Sequence, residues 1–240
     1  MTANPTDAPA SLPRIRRRST RAAGRVWFAL SCVAIAVFAP LPYLTRSWAD
    51  LAEAGVGLAA HYAAQPAAIR WSLIVHATAG GLALLLTPVM ASARLRRRRP
   101  IWHGHCGRVL LASILVAAAF GLVIAQVSYA GMVGTIGFSM LAVLWAASAA
   151  SAVRAAVRHD RAAHRAWTMR TLALTYSAVT LRLWVGILVV AQRPATDAAA
   201  ELAFDRAYPV VPFLCWVPNL LIAEWVLRHR AHFPSRPAHD

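Results

Sequence analysis

Six long apolar runs, at about residues 26–44, 69–93, 106–129, 135–157, 166–191 and 208–227, leave few folds open to this chain. Each has close to the ~20 residues that a helix needs to cross the ~30 Å apolar core of a bilayer. No water satisfies a peptide group at that depth, so a spanning run must close its backbone bonds within itself, as a helix does. The expected fold is therefore all-α, a six-helix transmembrane bundle. With 59% hydrophobic and 14% charged residues, the composition lies far from that of a soluble domain.

Three segments follow from this. Residues 1–25 are polar and rich in Pro and Arg, and read as a disordered basic tail. Residues 26–229 form the membrane domain, and residues 230–240 a short basic tail. A basic stretch before an apolar run also suits a secretory signal. Here the run ends at Pro40 and Pro42 and lacks a small-x-small cleavage site, so it reads as an uncleaved first span. Residues 45–68 are mixed and suit a short surface helix. Pro209, Pro212 and Pro218 are expected to bend the sixth span.

The formal charge is +16, and all 25 basic residues are arginine. They cluster between the apolar runs, as in the loops of a membrane protein, and form no basic groove, which argues against nucleic acid as a partner. Six lie in the N-terminal tail, six around the second turn, five around the fourth and three in the C-terminal tail, against four on the opposite side. The positive-inside rule then puts both termini in the cytoplasm and the protein in the inner (plasma) membrane. Trp27, Trp48, Trp71, Trp102, Trp167 and Trp225 fall near span ends, as an interfacial aromatic belt does. Cys32, Cys106 and Cys215 lack ligand spacing and read as small packing residues.

Polar residues inside the runs are the candidate functional groups, because burying them in a bilayer is costly. Two layers emerge when depth is counted along each span. His76 and Arg182 fall in the outer half, His76 at roughly 10 Å below the outer edge, with Gln126 near them and Asn219 somewhat deeper. His103, His105, Arg108, His164, Arg170 and Glu224 fall near the arginine-rich side. His164 and Arg182 are eighteen residues apart, five turns of an unbroken helix, and so are expected on one face. Each residue also has a structural reading. His76 suits a packed ring bonded to a carbonyl, Arg182 a snorkelling cation, His103 and His105 the interface, and Glu224 an ion pair with Arg108 or Arg170.

Four stretches carry a family resemblance over about residues 69–228. They are His76 with Gly80 and Gly81; His103 with Gly107 and Arg108; His164, Trp167, Arg170, Thr180 and Arg182; and Trp216, Pro218, Asn219 and Glu224. Through these the chain resembles the uncharacterised bacterial membrane family named domain of unknown function 2306. Gly104 stands where that pattern suggests an arginine, and Thr168 where it suggests a methionine. The histidine-bearing helices are also similar in pattern to b-type cytochrome membrane domains, an analogy of pattern alone.

Three functional readings follow, in this order. The first is a small redox protein that binds haem b or interacts with a quinone. His103 and His164 are then candidate metal ligands on two helices, and Arg108, Arg170, Arg182, Asn219, Glu224 and His76 line the cofactor. The second is a carrier or binding protein for a polar or anionic small molecule or lipid, held at Arg182, His76 and Asn219. The third is a metal hydrolase built from His103, His105, His164 and Glu224, which needs three or four converging ligands. Catalytic residues are not assigned.

The charge distribution sets the first test. A reporter fused after Asp240 should be active only where it works in the cytoplasm. A periplasm-dependent phosphatase active at that position would overturn the six-span, cytoplasmic-termini topology.

Overall fold

Helix dominates the computed structural model, which describes residues 14–54 and 58–232. The elements in chain order are α1 (Arg14–Phe38), α2 (Leu41–Thr45), α3 (Trp48–Glu53), α4 (Ala59–Ala63), α5 (Ala67–Ala91), α6 (Ala93–Arg98), α7 (Pro100–Ala125) and α8 (Gly131–Val157). They continue as α9 (Arg161–Thr175), α10 (Ser177–Ala191), α11 (Asp197–Ala207), a 3-10 turn (Tyr208–Val210), α12 (Val211–Leu214) and α13 (Val217–His232). Among the described residues, six helical stretches are long and apolar enough to cross a membrane: Ala22–Thr45, Ala67–Ala91, Pro100–Ala125, Gly131–Val157, Arg161–Ala191 and Asp197–His229. The six-span, all-α expectation is met.

The boundaries differ where polar residues extend a helix beyond its apolar run. Residues 1–13 and 233–240 of the two expected tails lie outside the described residues, but the chain is already helical at Arg14 and remains so to His232. Arginine is a good helix former, so a span need not stop where its apolar run stops. For the same reason α7 starts at Pro100, and His103 and His105 sit on a helix. The acidic segment after the fifth span is also helical, as α11, with the Thr196 hydroxyl accepting from the Ala199 N–H at its start.

Packing follows the small residues. α5, α7, α8 and α9 follow one another around the core, and α5 also touches α9. α1 packs on the outside of α5 and reaches α10, while α13 packs on α9. Ala83, Ile114, Ala117 and Ala118 are buried at the α5–α7 seam, with Trp145 of α8 and Leu174 of α9 in the same cluster. Small side chains allow this close approach, and van der Waals contact rather than the hydrophobic effect drives it in a bilayer. At Gly81 of α5, a Cβ would lie 2.9 Å from the Ala36 carbonyl oxygen of α1. At Gly137 of α8, it would lie 2.7 Å from the Pro212 Cβ of α12.

Two spans are broken. The fifth divides between Thr175 and Ser177, and the sixth divides through the 3-10 turn and again at Cys215 and Trp216. Pro209, Pro212 and Pro218 account for the second case, since proline donates no bond and clashes with the preceding turn. The first has no proline. It is braced from outside, by Asn219 Nδ2 donating to the Ala173 carbonyl at 3.2 Å and Thr180 Oγ1 donating to the Cys215 carbonyl at 2.6 Å.

Gly81→Ala should destabilise the bundle by about 1–3 kcal/mol, because the clash is with backbone. Gly104→Ala meets open space and should be neutral or slightly stabilising. Thermal unfolding in detergent distinguishes the two, and equal melting temperatures would show that α1 yields at no cost.

Candidate functional site

A cavity of about 560 Å³ lies in the half of the bundle away from the arginine-rich turns. Its lining comes mainly from the C-terminal part of α1, the first two-thirds of α5, the second half of α7, the first half of α8, and α10, with residues of α2, α4, the end of α9, α11 and the 3-10 turn. The walls are mostly apolar, with a few polar groups among them, the usual make-up of a small-molecule site.

His76 and Arg182 both line this cavity. The His76 Nδ1 is 2.7 Å from the Ala117 carbonyl oxygen on α7. A carbonyl only accepts, so Nδ1 carries the proton, and in the neutral ring Nε2 is an acceptor. Nε2 has no partner among the described residues. Gly121, one turn beyond Ala117, makes room for the ring: a Cβ there would lie 2.9 Å from Nδ1 and 3.1 Å from Cε1. The structural reading of His76, a ring bonded to a carbonyl, is thus met, and the same bond directs the other nitrogen away from α7.

Arg182 donates from Nη1 to the Ala178 carbonyl one turn earlier, at 2.7 Å. Its remaining N–H groups have no acceptor among the described residues. Among the described residues no carboxylate lines the cavity. What does line it are the phenols of Tyr43, Tyr62 and Tyr208, each able to donate or accept. Burial pushes the Tyr62 phenol up to about 12, so it remains a neutral hydroxyl. Trp145 and Thr175 close the inner end, where the indole donates to Thr175 Oγ1 at 2.9 Å and that hydroxyl donates to the Thr171 carbonyl at 2.8 Å. Near the other end, His61 Nε2 donates to the Val127 carbonyl at 2.7 Å, and the Tyr129 hydroxyl donates to Asp205 at 2.5 Å.

The arginine-rich layer is a separate place. Arg170 forks onto Glu224, Nε to Oε1 at 2.5 Å and Nη2 to Oε2 at 3.0 Å, and its guanidinium lies 4.6 Å over the Trp167 ring. Of the two expected partners for Glu224, the structure selects Arg170; Arg108 is exposed. His164 Nδ1 donates to the Ala152 carbonyl on α8 at 2.8 Å. The buried His103 Nδ1 has no partner among the described residues. Neither His103 nor His164 lines the cavity.

Two expected placements differ. Asn219 does not line the cavity. It braces the fifth span, donating to the Ala173 carbonyl and to Thr180 Oγ1 at 3.0 Å. Gln126 is exposed and donates to the Leu122 carbonyl. His164 and Arg182 lie on either side of the interruption at Tyr176, and the two side chains meet different surroundings. Among the described residues no three His, Cys, Asp or Glu side chains gather where they could hold a metal ion, so the donor set of a hydrolase is not assembled.

Tyr43, Tyr62, Tyr208, Trp145 and Gly121 were not among the candidates. Tyr62 comes from a short helix outside the apolar runs, Tyr43 and Tyr208 sit at the ends of runs, and Gly121 is one of several small residues in its span.

The Arg170–Glu224 pair keeps 24% and 30% of its side-chain surface, so it is not fully desolvated. Glu224→Ala should cost about 1–3 kcal/mol, the range for charge-assisted hydrogen bonds. An unchanged melting temperature in detergent for Glu224→Ala would mean that the fork carries no net stability.

No curated protein and no solved structure matches the chain. A family model does, over residues 73–227, a stretch that holds His76, Gly121, Trp145, Arg182 and the Arg170–Glu224 pair. The chain belongs to that family, described as predicted membrane protein (DUF2306).

Proposed function

We propose that this membrane protein is a binding protein or carrier for a small amphipathic molecule, whose polar or anionic head meets Arg182 and His76 and whose apolar part fills the rest of the cavity. The observation that carries the reading is the incomplete pairing of Arg182. A cation at this depth costs at least ~2.5–3.5 kcal/mol, and one backbone carbonyl compensates it only in part. An anionic or carbonyl oxygen from a ligand completes the set. On the arginine distribution we infer the inner (plasma) membrane with both termini cytoplasmic, so that the cavity lies in the outer half of the bilayer.

The haem reading has less support. It asks for two imidazoles across one cofactor, and among the described residues His76 is the one imidazole on the cavity wall. The layer of His103 and His164 lies outside that wall.

Arg182→Gln tests the proposal. The variant should stay folded, with a melting temperature close to that of the wild type. It should lose the small molecule that native mass spectrometry finds on the wild type, or bind it about 10–100-fold more weakly. His76→Ala should weaken the same binding. If Arg182→Gln keeps the bound species and only lowers expression, Arg182 is structural and the proposal fails. A Soret band that shifts on dithionite reduction would return the haem reading.

A further inference from the structure

His76 and Arg182 on the cavity wall differ in hydrogen-bonding sense, and that difference specifies a ligand. Arg182 offers only donors. His76, with Nδ1 committed to the Ala117 carbonyl, offers an acceptor at Nε2 in its neutral form. A head that is purely an acceptor, such as a carboxylate or a quinone carbonyl, satisfies Arg182 and leaves Nε2 without a donor. A head with a hydroxyl donor beside an oxygen acceptor satisfies both.

The walls add a shape. Tyr43, Tyr62, Phe138, Trp145 and Tyr208 line the cavity from four different segments, surroundings suited to a flat ring through edge and face contacts. Their phenols can donate or accept, so they tolerate either sense, and the discrimination rests on His76.

Resting on the ligand-binding function proposed above, we propose that the cavity takes an aromatic lipid head bearing a phenolic hydroxyl, a quinol, and prefers it to the corresponding quinone. The hydroxyl donates to His76 Nε2 and the ring oxygen across from it accepts from Arg182. The proposal concerns binding alone and no electron transfer is part of it. Gly121 is a positioning residue here, since a Cβ at that site would press on the imidazole and turn Nε2 away.

Equilibrium dialysis of the detergent-purified protein under anaerobic conditions tests this with four probes: a short-chain benzoquinol, its quinone, the dimethyl ether of the quinol, and oleate. The quinol should bind about 10-fold or more tightly than the quinone and the diether, because an unmet buried acceptor costs that much. His76→Ala should abolish the preference while leaving quinone affinity within about 2-fold, which also shows that the variant is folded. Gly121→Ala should reduce the preference in the same sense. Equal binding of quinol and diether, or an equal loss for all probes in His76→Ala, overturns the inference. If oleate binds more tightly than the quinol and does so through Arg182, the ring is the wrong class, although the broader function stands. If Arg182→Gln changes the binding of none of the probes, both proposals fall.

Discussion

Away from water, every peptide group that a helix break releases must find its partner inside the protein. The fifth span breaks at Tyr176 without proline, and the sixth span supplies the partners. Asn219 donates to the Ala173 carbonyl, and Thr180, which Asn219 also bonds, donates to the Cys215 carbonyl at the break in the sixth span. Two interruptions thus satisfy each other. The position of α10, and with it that of Arg182, depends on this bracing. Arg182 meets the cavity and His164 the carbonyl of Ala152.

The packing divides in the same way. Where α1, α5 and α7 approach closely, glycine and alanine leave no room for a side chain, as the Gly81 contact with the Ala36 carbonyl shows. At Gly121 the missing side chain has another use, for the His76 ring occupies that space. One residue type therefore serves two ends: drawing backbones together at the seam, and admitting a polar ring at the cavity wall. The Nδ1 bond to Ala117 makes this more than space filling. It holds the ring to the helix that also carries Gly121 and leaves the other nitrogen without a partner among the described residues.

The architecture was legible because its cause is local: each span announces itself by about twenty apolar residues, and the arginines mark the turns. That His76 and Arg182 share a level was legible for the same reason, since rise per residue is fixed. The interruption at Tyr176 was not. The five-turn spacing of His164 and Arg182 assumed one unbroken helix, and the residue that bonds across to the interruption, Asn219, is forty-three residues after Tyr176 in the chain. Asn219 itself looked like a ligand residue because a lone amide in an apolar run has two uses, lining a site or mending a helix. Only the positions of the Ala173 and Cys215 carbonyls decide between them. The tyrosines of the cavity escaped notice because Tyr43 and Tyr208 sit at the ends of apolar runs and Tyr62 between two of them, and nothing local tells which way such segments fold back.

The apolar run of the fifth span, residues 166–191, carries two arginines, and the contrast between them is the strongest argument for a site. Arg170 has everything a half-buried guanidinium can use: a carboxylate fork from Glu224 and the face of Trp167. Arg182, twelve residues on, has among the described residues one carbonyl, three phenols on the walls around it and no carboxylate. Both lie on broken, braced helices built from the same kind of sequence, so the chain has the means to pair a buried arginine and has done so once. Packing alone gives no reason for the difference, because a leucine or methionine at position 182 would fill the space without the cost of desolvating a cation. A cation left incompletely paired beside a cavity of this size is what a chain keeps when the missing partner arrives from outside.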